Sequence, residues 1–422
     1  MHAFTIAFLA ALALATATRI CLAVRHVQHV AAHRAAVPPE FAESVALAAH
    51  QKAADYTVAK TRLGIVDAIV SAVVLLAFTL GGGLQALFDA WATVFEPGGY
   101  AHGIALILSV VAITGAIDLP FSIYRTFVIE SRFGFNRMTP ALFLADLAKA
   151  IGLGLALGVP LLFIVLWLMA KMGSLWWLYV WLTWVAFNLV MLVAYPTLIA
   201  PLFNKFTPLE DATLKERIER LLVRCGFRSK GLFVMDGSKR SSHGNAYFTG
   251  FGAAKRIVFF DTLLSRLAPG EVEAVLAHEL GHFKRHHVWK RVAWLFLGSL
   301  AFLALLGYLI GEPWFYEALG VETHSTAMAL LLFFMVVPVF TFLLHPVGSL
   351  YSRRHEYEAD RYAASHSSAQ ELIHALVKLY QDNAATLTPD PVHSAFYDSH
   401  PPAALRIARL RTLSSAETPQ GA

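Results

Sequence analysis

Apolar residues gather into long runs at about 3–24, 63–88, 103–124, 142–170, 175–200, 291–311 and 327–350, with shorter polar stretches between them. A helix needs ~20 apolar residues to cross a bilayer, so the pattern predicts seven transmembrane helices. The polar stretches test that count. Segment 25–62 carries Arg25, Arg34, Lys52, Lys60 and Arg62, and segment 125–140 carries Arg125, Arg132 and Arg137. Segments 201–290 and the tail after 350 are also basic, whereas 89–102 and 312–326 contain no Lys or Arg. Basic and non-basic loops alternate as seven crossings require, which predicts an outer N-terminus and a cytoplasmic C-terminus. Lys171, in the short 171–174 turn on the outer side, is an exception. The first run could instead be a signal peptide, with Ala-Thr-Ala near residue 15 as its cleavage site. No Lys or Arg precedes it, whereas a signal peptide requires a positively charged start, so it is read as a retained span.

Composition agrees with the pattern. Apolar residues make up 57% of the 422 positions and charged residues 15%, against ~45–50% and ~25% in soluble domains. The net charge of +5 is spread among connecting loops and forms no basic stripe, so nucleic acid is not an expected partner. Cys21 and Cys225 fall in an apolar span and a polar region, with no metal-ligand spacing.

Four regions follow: 1–200 with five spans, 201–290, 291–350 with two more spans, and a polar segment 351–422. Within 201–290 the residues predict a helix from Leu214 to Cys225, strands at 231–236, 244–249 and 255–261, and a helix from Pro269 or Gly270. Glu271 and Glu273 suit the first turn of that last helix, where the dipole favours anions. Lys284, Arg285 and Lys290 follow it before the sixth span, which places it at the cytoplasmic boundary.

That helix carries His278-Glu279-Leu280-Gly281-His282. Two imidazoles four apart share one helix face and can reach one metal ion, while the glutamate between them can take a proton from metal-bound water. Such a site needs a third protein ligand and one open position. The extended motif, with a histidine six residues after the second, fails because Val288 stands there and Arg285 replaces its glycine. His286 and His287 face away from the pair by helical spacing and are read as interfacial polar residues. A better source is Ser352-Arg353-Arg354-His355-Glu356-Tyr357-Glu358-Ala359-Asp360. Glu356 and Asp360 share a face at i, i+4, and Glu358 points elsewhere. Glu356 could complete the metal set and Asp360 could fix a ligand histidine's tautomer, although the run alone could be an ordinary solvated helix.

These two motifs together resemble the type I CAAX prenyl protease family, integral membrane zinc metallopeptidases of the HExxH gluzincin type. Further segments resemble it too: Phe127-Val-Ile-Glu-Ser-Arg-Phe-Gly-Phe-Asn136, Tyr195-Pro-Thr-Leu-Ile-Ala-Pro-Leu-Phe-Asn204, Asn245-Ala-Tyr-Phe248, Phe260-Asp-Thr-Leu-Leu264 and Ser399-His-Pro-Pro402. The likeness runs from about residue 25 to 412. It implies a multi-pass α-helical membrane protein: seven transmembrane helices around a water-filled chamber, with a zincin-like α/β metallopeptidase domain on the cytoplasmic side. It implies one Zn2+ per chain on His278, His282 and Glu356, and Glu279 as the base that activates zinc-bound water. Asp360 and Arg406 become supporting residues around the ligands. His400, in the His-Pro-Pro element, becomes a donor to the developing oxyanion. Asn245, Ala246 and Tyr247 match a strand that lines the substrate groove, where an extended peptide can add by β-pairing. The role of His243 beside it stays open.

Asp67, Asp118, Asp146 and Lys149 lie within or near the spans, where polar groups face protein or a water-filled cavity. They could line the chamber or bond between helices. Trp176, Trp177, Trp181 and Trp184 are read as interface or packing residues.

The implied activity is hydrolysis of peptide bonds near the C-terminus of CAAX-type, prenylated proteins. The expected partners are a peptide or protein substrate, prenylated or not, and membrane lipid. An alternative is a membrane quality-control metalloprotease acting on non-lipidated or misfolded membrane proteins, although such relatives have fewer spans. A site-2-type protease would bury its motif in an apolar span, against Lys284-Arg285-His286-His287. A transporter would give no reason for the metal groups. The Ala-rich start, the alternating loop charges and the Pro-Gln-Gly-Ala ending suggest a bacterial inner membrane.

Overall fold

The apolar runs form helices in the computed structural model, which describes residues 2–249 and 254–417. The first half of the chain comprises α1 (Ala3–Ala32), α2 (Leu47–Phe78), the short α3 (Gly83–Ala92), α4 (Tyr100–Ile123), α5 (Pro140–Lys171), α6 (Trp176–Ala194) and the short α7 (Ala200–Phe203). Among the described residues seven helical segments are long and apolar enough to cross a membrane. One boundary departs from expectation. The second span, predicted at 63–88, is a helix that starts at Leu47 and ends at Phe78. Hydropathy misses its first turns because they are polar, yet residues 47–62 contain no glycine or proline to interrupt a helix. It ends at a run of three glycines, where Gly82 takes φ 75.

α1 packs along α2 and α13 (Thr326–Thr341). The fully buried Phe8, Leu84, Leu106, Met328 and Leu332 belong to the membrane-side core. Two cavities open among these helices. One, of about 300 Å³, has Arg19, Ser71, Thr114 and Asp118 in its wall. The other, of about 560 Å³, is lined almost wholly by apolar side chains of α4, α5, α6, α11 (His287–Leu309) and α13. Asp118 thus lines the first of these cavities. Asp146 accepts two bonds from Arg240 at 2.7 and 3.0 Å, and Lys149 donates to the Leu202 carbonyl at 2.9 Å.

The polar region adds β1 (Phe206–Pro208), α8 (Ala212–Arg224), β2 (Arg228–Met235), β3 (Ala246–Thr249), β4 (Ala254–Phe260), α9 (Asp261–Leu264) and α10 (Pro269–Lys284). The strand order is β1-β2-β4-β3, with β2 parallel to β4 and the outer strands antiparallel to their neighbours. β1 was not legible in the sequence because its three residues carry no alternation. Ile218, Leu221, Ile257, Phe259, Ala277 and Leu280 seal the core between the sheet, α8 and α10.

α12 (Pro313–Glu317) precedes α13, and Phe342–Leu344 joins α13 to α14 (His345–His366) as a 3₁₀ turn. The last span and the Glu356 segment are thus one helical rod over residues 326–366, and the boundary drawn at 350 falls inside it. Three helices follow, α15 (Ala369–Asp382), α16 (Pro391–Tyr397) and α17 (Ala403–Glu417), and they fold back onto α10 and α14.

Candidate active site

Pro269 opens α10, and the Glu271 carboxylate caps it by accepting the Ala268 N–H at 2.7 Å. Arg217 and Arg224 of α8 hold Glu273, two residues further along the helix. The helix then runs buried to Gly281, where it crosses α14. A Cβ on Gly281 would lie 3.0 Å from the Cα of Ala359 and from the Cβ of Tyr362. Only a glycine lets the two backbones approach this closely. That contact brings Glu356 within reach of both histidines.

The Nε2 atoms of His278 and His282 are 3.3 Å apart. Glu356 Oε2 lies 3.4 Å from His278 Nε2, and Oε1 lies 3.4 Å from His282 Nε2. A tetrahedral zinc with bonds of ~2.0–2.1 Å sets its donors about 3.3 Å apart. The three side chains therefore form a ligand set of the right chemistry and spacing. Glu356 Oε2 is buried without a hydrogen-bond partner, as expected of an atom reserved for a cation. Glu279 is half-buried on the same helix, and among the described residues no hydrogen bond or ion pair holds its carboxylate.

Behind the donors, His278 Nδ1 donates to Asp360 Oδ1 at 2.9 Å. Asp360 also accepts two bonds from Arg406 of α17, at 2.6 and 2.9 Å. Burial alone would lower the His278 pKa, but the Asp360 and Glu356 carboxylates outweigh it and raise it to about 9. Burial likewise opposes the Arg406 charge, and Asp360 more than offsets it, so the guanidinium stays protonated.

His287 corrects the sequence reading. It is 1% exposed, and its Nδ1 stands 3.0 Å from His282 Nδ1. Its Nε2 reaches Glu358 Oε2 at 3.1 Å, and its ring stacks on His355 at 3.9 Å. Helical spacing fails because α10 ends at Lys284 and His286 takes the left-handed conformation, φ 58, before α11 begins. The turn folds His287 back onto His282. Glu358 does point away from the metal donors, as predicted, and meets His287 there.

The loop between α16 and α17 brings in His400, whose Nε2 lies 3.4 Å from Glu356 Oε1 and whose side chain is 60% exposed to the cleft. β3 is an edge strand. Phe248 of β3 stacks obliquely on Phe283, the residue after His282, with ring centres 5.7 Å apart. Ala246 packs against the core. Asn245 and Tyr247 line a cavity of about 700 Å³ with Lys60, Arg240 and His243. His243 is braced by Asn383 at 3.1 Å and by Glu130 at 3.4 Å, which ties this cavity to the membrane helices.

Known proteins are similar to this chain in sequence and fold. Residues 26–205 match the family described as CAAX prenyl protease N-terminal, five membrane helices. Residues 208–414 match peptidase family M48. A CAAX prenyl protease 1 homolog of Arabidopsis thaliana is 40% identical, over 75% of this chain and 74% of its own. The CAAX prenyl protease 1 of Saccharomyces cerevisiae is 39% identical, over 71% of this chain and 69% of its own. The Homo sapiens homolog is 31% identical over 89% of each. The crystal structure of S. mikatae Ste24p superposes with a TM-score of 0.89 at 31% identity, covering 97% of this chain and 99% of that one. The chain is therefore a multi-pass membrane metalloendopeptidase of family M48, a member of the type I CAAX prenyl proteases.

Proposed function

We propose that this protein is a zinc endopeptidase that cuts near the C-terminus of prenylated CAAX-type proteins, with one Zn2+ per chain and Glu279 as its base. The spacing of the His278, His282 and Glu356 donor atoms, 3.3–3.4 Å, carries the metal part of this reading. A zinc ion held there would supply Lewis acidity to the attacking water and to the scissile carbonyl. Glu279, next to His278 and free of other partners among the described residues, takes the proton of the attacking water and passes it to the leaving amine. His400 points an exposed imidazole at the same carboxylate corner and donates to the oxygen that gains charge. Asp360 and Arg406 hold His278 in the tautomer that leaves Nε2 free. The edge strand β3, with Asn245 just before it and Ala246 and Tyr247 in it, takes the substrate as an added strand.

The CAAX substrate class is carried by the names of the relatives. The loop charges favour a cytoplasmic C-terminus in an integral, multi-pass membrane protein; a bacterial inner membrane rests on the sequence pattern alone, and the named relatives, which are eukaryotic, do not support it. The test is cleavage of a farnesylated CAAX peptide by the purified protein, beside Glu279→Gln and beside the same peptide without its lipid. Cleavage by wild type that fails in a Glu279→Gln protein with full zinc content supports the mechanism; an active Glu279→Gln protein removes Glu279 as base. Equal cleavage of the lipid-free peptide moves the reading to membrane quality control.

A further inference from the structure

One face of the rod formed by α13 and α14 changes character within a few turns. Leu343, Val347 and Leu350, spaced i, i+4, i+7, are exposed by 45%, 67% and 62%. Arg354 and Arg361 continue the same stripe at the next turns. Both arginines are exposed, and Arg354 donates to Glu358 one turn further on. The exposed side chains of this rod therefore change from apolar to basic between Leu350 and Arg354. The adjacent α11 crosses the same level, with Trp289 and Trp294 exposed by 51% and 65% as an interfacial belt. His287, at the start of α11, touches Glu358 of α14 and fixes the two helices at one depth.

At this level a pocket of about 470 Å³ is lined by Leu350, Tyr357 and the four arginines Arg353, Arg354, Arg361 and Arg409. Glu358 is the acidic member of the lining, and it is shared between Arg354 at 3.3 Å and His287. Arg353 is spent on the Ala395 carbonyl at 2.8 Å. Arg409 lies over the Tyr357 ring, 4.5 Å from its centre. Among the described residues no carboxylate pairs with Arg361 or Arg409. The pocket thus holds uncompensated positive charge, presented as planar forks suited to phosphate oxygens. It opens onto an apolar stripe suited to acyl chains.

We infer that this pocket binds the headgroup of an anionic phospholipid, its phosphate between Arg361 and Arg409 and its acyl chains along Val347 and Leu350. The inference rests on the membrane-spanning fold and is independent of the peptidase reading. A soluble phosphate would use the same arginines but gives no reason for the adjoining apolar stripe, and basic pockets at the cytoplasmic end of membrane helices suit anionic headgroups.

The test is native mass spectrometry of the purified full chain with added phosphatidylglycerol or phosphatidylcholine, for wild type and for Arg361→Gln/Arg409→Gln. Wild type should retain phosphatidylglycerol in preference to phosphatidylcholine. The double variant should lose that preference, by about fivefold for each charge removed, with its thermal midpoint and zinc content unchanged. Arg361→Lys/Arg409→Lys should fall between them. Equal retention of the two lipids by wild type, or full retention of phosphatidylglycerol by the double variant, overturns the site. Displacement of the lipid by millimolar inorganic phosphate would also overturn it, in favour of a soluble phosphate. Should the double variant misfold, Arg361→Gln alone decides the matter, because Arg361 is exposed.

Discussion

His287 Nδ1 lies 3.0 Å from His282 Nδ1, so one ligand histidine is braced by another histidine where its partner His278 is braced by Asp360. With His282 Nε2 turned to the metal, its Nδ1–H donates to His287, which must then carry its own proton on Nε2 and donate to Glu358. His287→Ala removes the acceptor, and zinc affinity should fall by ~10–100-fold. His287→Gln keeps an acceptor oxygen and should recover part of that loss. Chelator competition measures the affinity, and the absorption spectrum of the cobalt-substituted protein reports the ligand geometry. An unchanged affinity in His287→Ala would make the residue packing only.

Gly281→Ala tests the helix crossing that assembles the ligand set. Its new Cβ meets the α14 backbone at Ala359 Cα, 3.0 Å away, with no flexible side-chain end to move. The two helices must part, at about 1–3 kcal/mol for overpacking of this kind, and Glu356 moves with α14. Both the thermal midpoint and the zinc occupancy should drop. A protein with normal occupancy and midpoint would show that the crossing is loose.

These two positions also mark what the sequence could convey. The proposed donors His278, His282 and Glu356, which the structure brings together, could be picked out because i, i+4 spacing survives inside an unbroken helix. His287 was not, because a left-handed residue at His286 breaks the helix just where the spacing was extrapolated. Gly281 sat inside the motif, yet its partner Ala359 is far away in sequence and no periodicity announces a crossing. The spans were legible as apolar runs, but hydropathy records only bilayer-length stretches. It therefore missed the polar start of α2 and the cytoplasmic extension of the last span into α14.

Zinc loading should expel a proton. Without an ion, Asp360 and Glu356 keep His278 protonated to a pKa of about 9, and a ligand imidazole must be neutral. A histidine raised above its unfolded value of ~6.5 adds stability to the metal-free protein below that value. This contribution is lost as the pH rises through about 9. Apparent zinc affinity should therefore rise roughly tenfold per pH unit below the His278 pKa and flatten above it. Calorimetry in buffers of different ionisation enthalpy should find about one proton released from this residue at neutral pH. Asp360→Asn should shift the plateau to lower pH. Titration with no proton release and no pH slope would contradict the raised His278.

Asp390 couples the first helix to the segment that leads into the His400 loop. Fully buried, it caps α16 by accepting the Val392 and His393 N–H groups at 3.1 and 2.9 Å, and it takes a forked bond from Arg25 of α1 at 2.9 and 3.0 Å. The His26 ring stacks on His393 at 3.9 Å beside it. Burial pushes the Asp390 carboxyl up, but the His393 amide and Arg25 outweigh it and hold it below the usual range. The clamp is therefore intact above ~pH 4 and is lost only as the pH falls further. α16 leads directly into the loop that presents His400, so the clamp should govern turnover without touching the metal. Asp390→Ala loses cap and ion pair together and should cost about 2 kcal/mol of stability. It should also lower kcat several-fold at full zinc content. Asp390→Asn keeps an oxygen for the cap and should lose only the share owed to Arg25. Arg25→Gln should match Asp390→Asn, and combining the two should add nothing further, because each removes the same ion pair. An additive double variant, or an Asp390→Ala protein with normal kcat, would mean that α1 holds its place against α16 without steering the His400 loop.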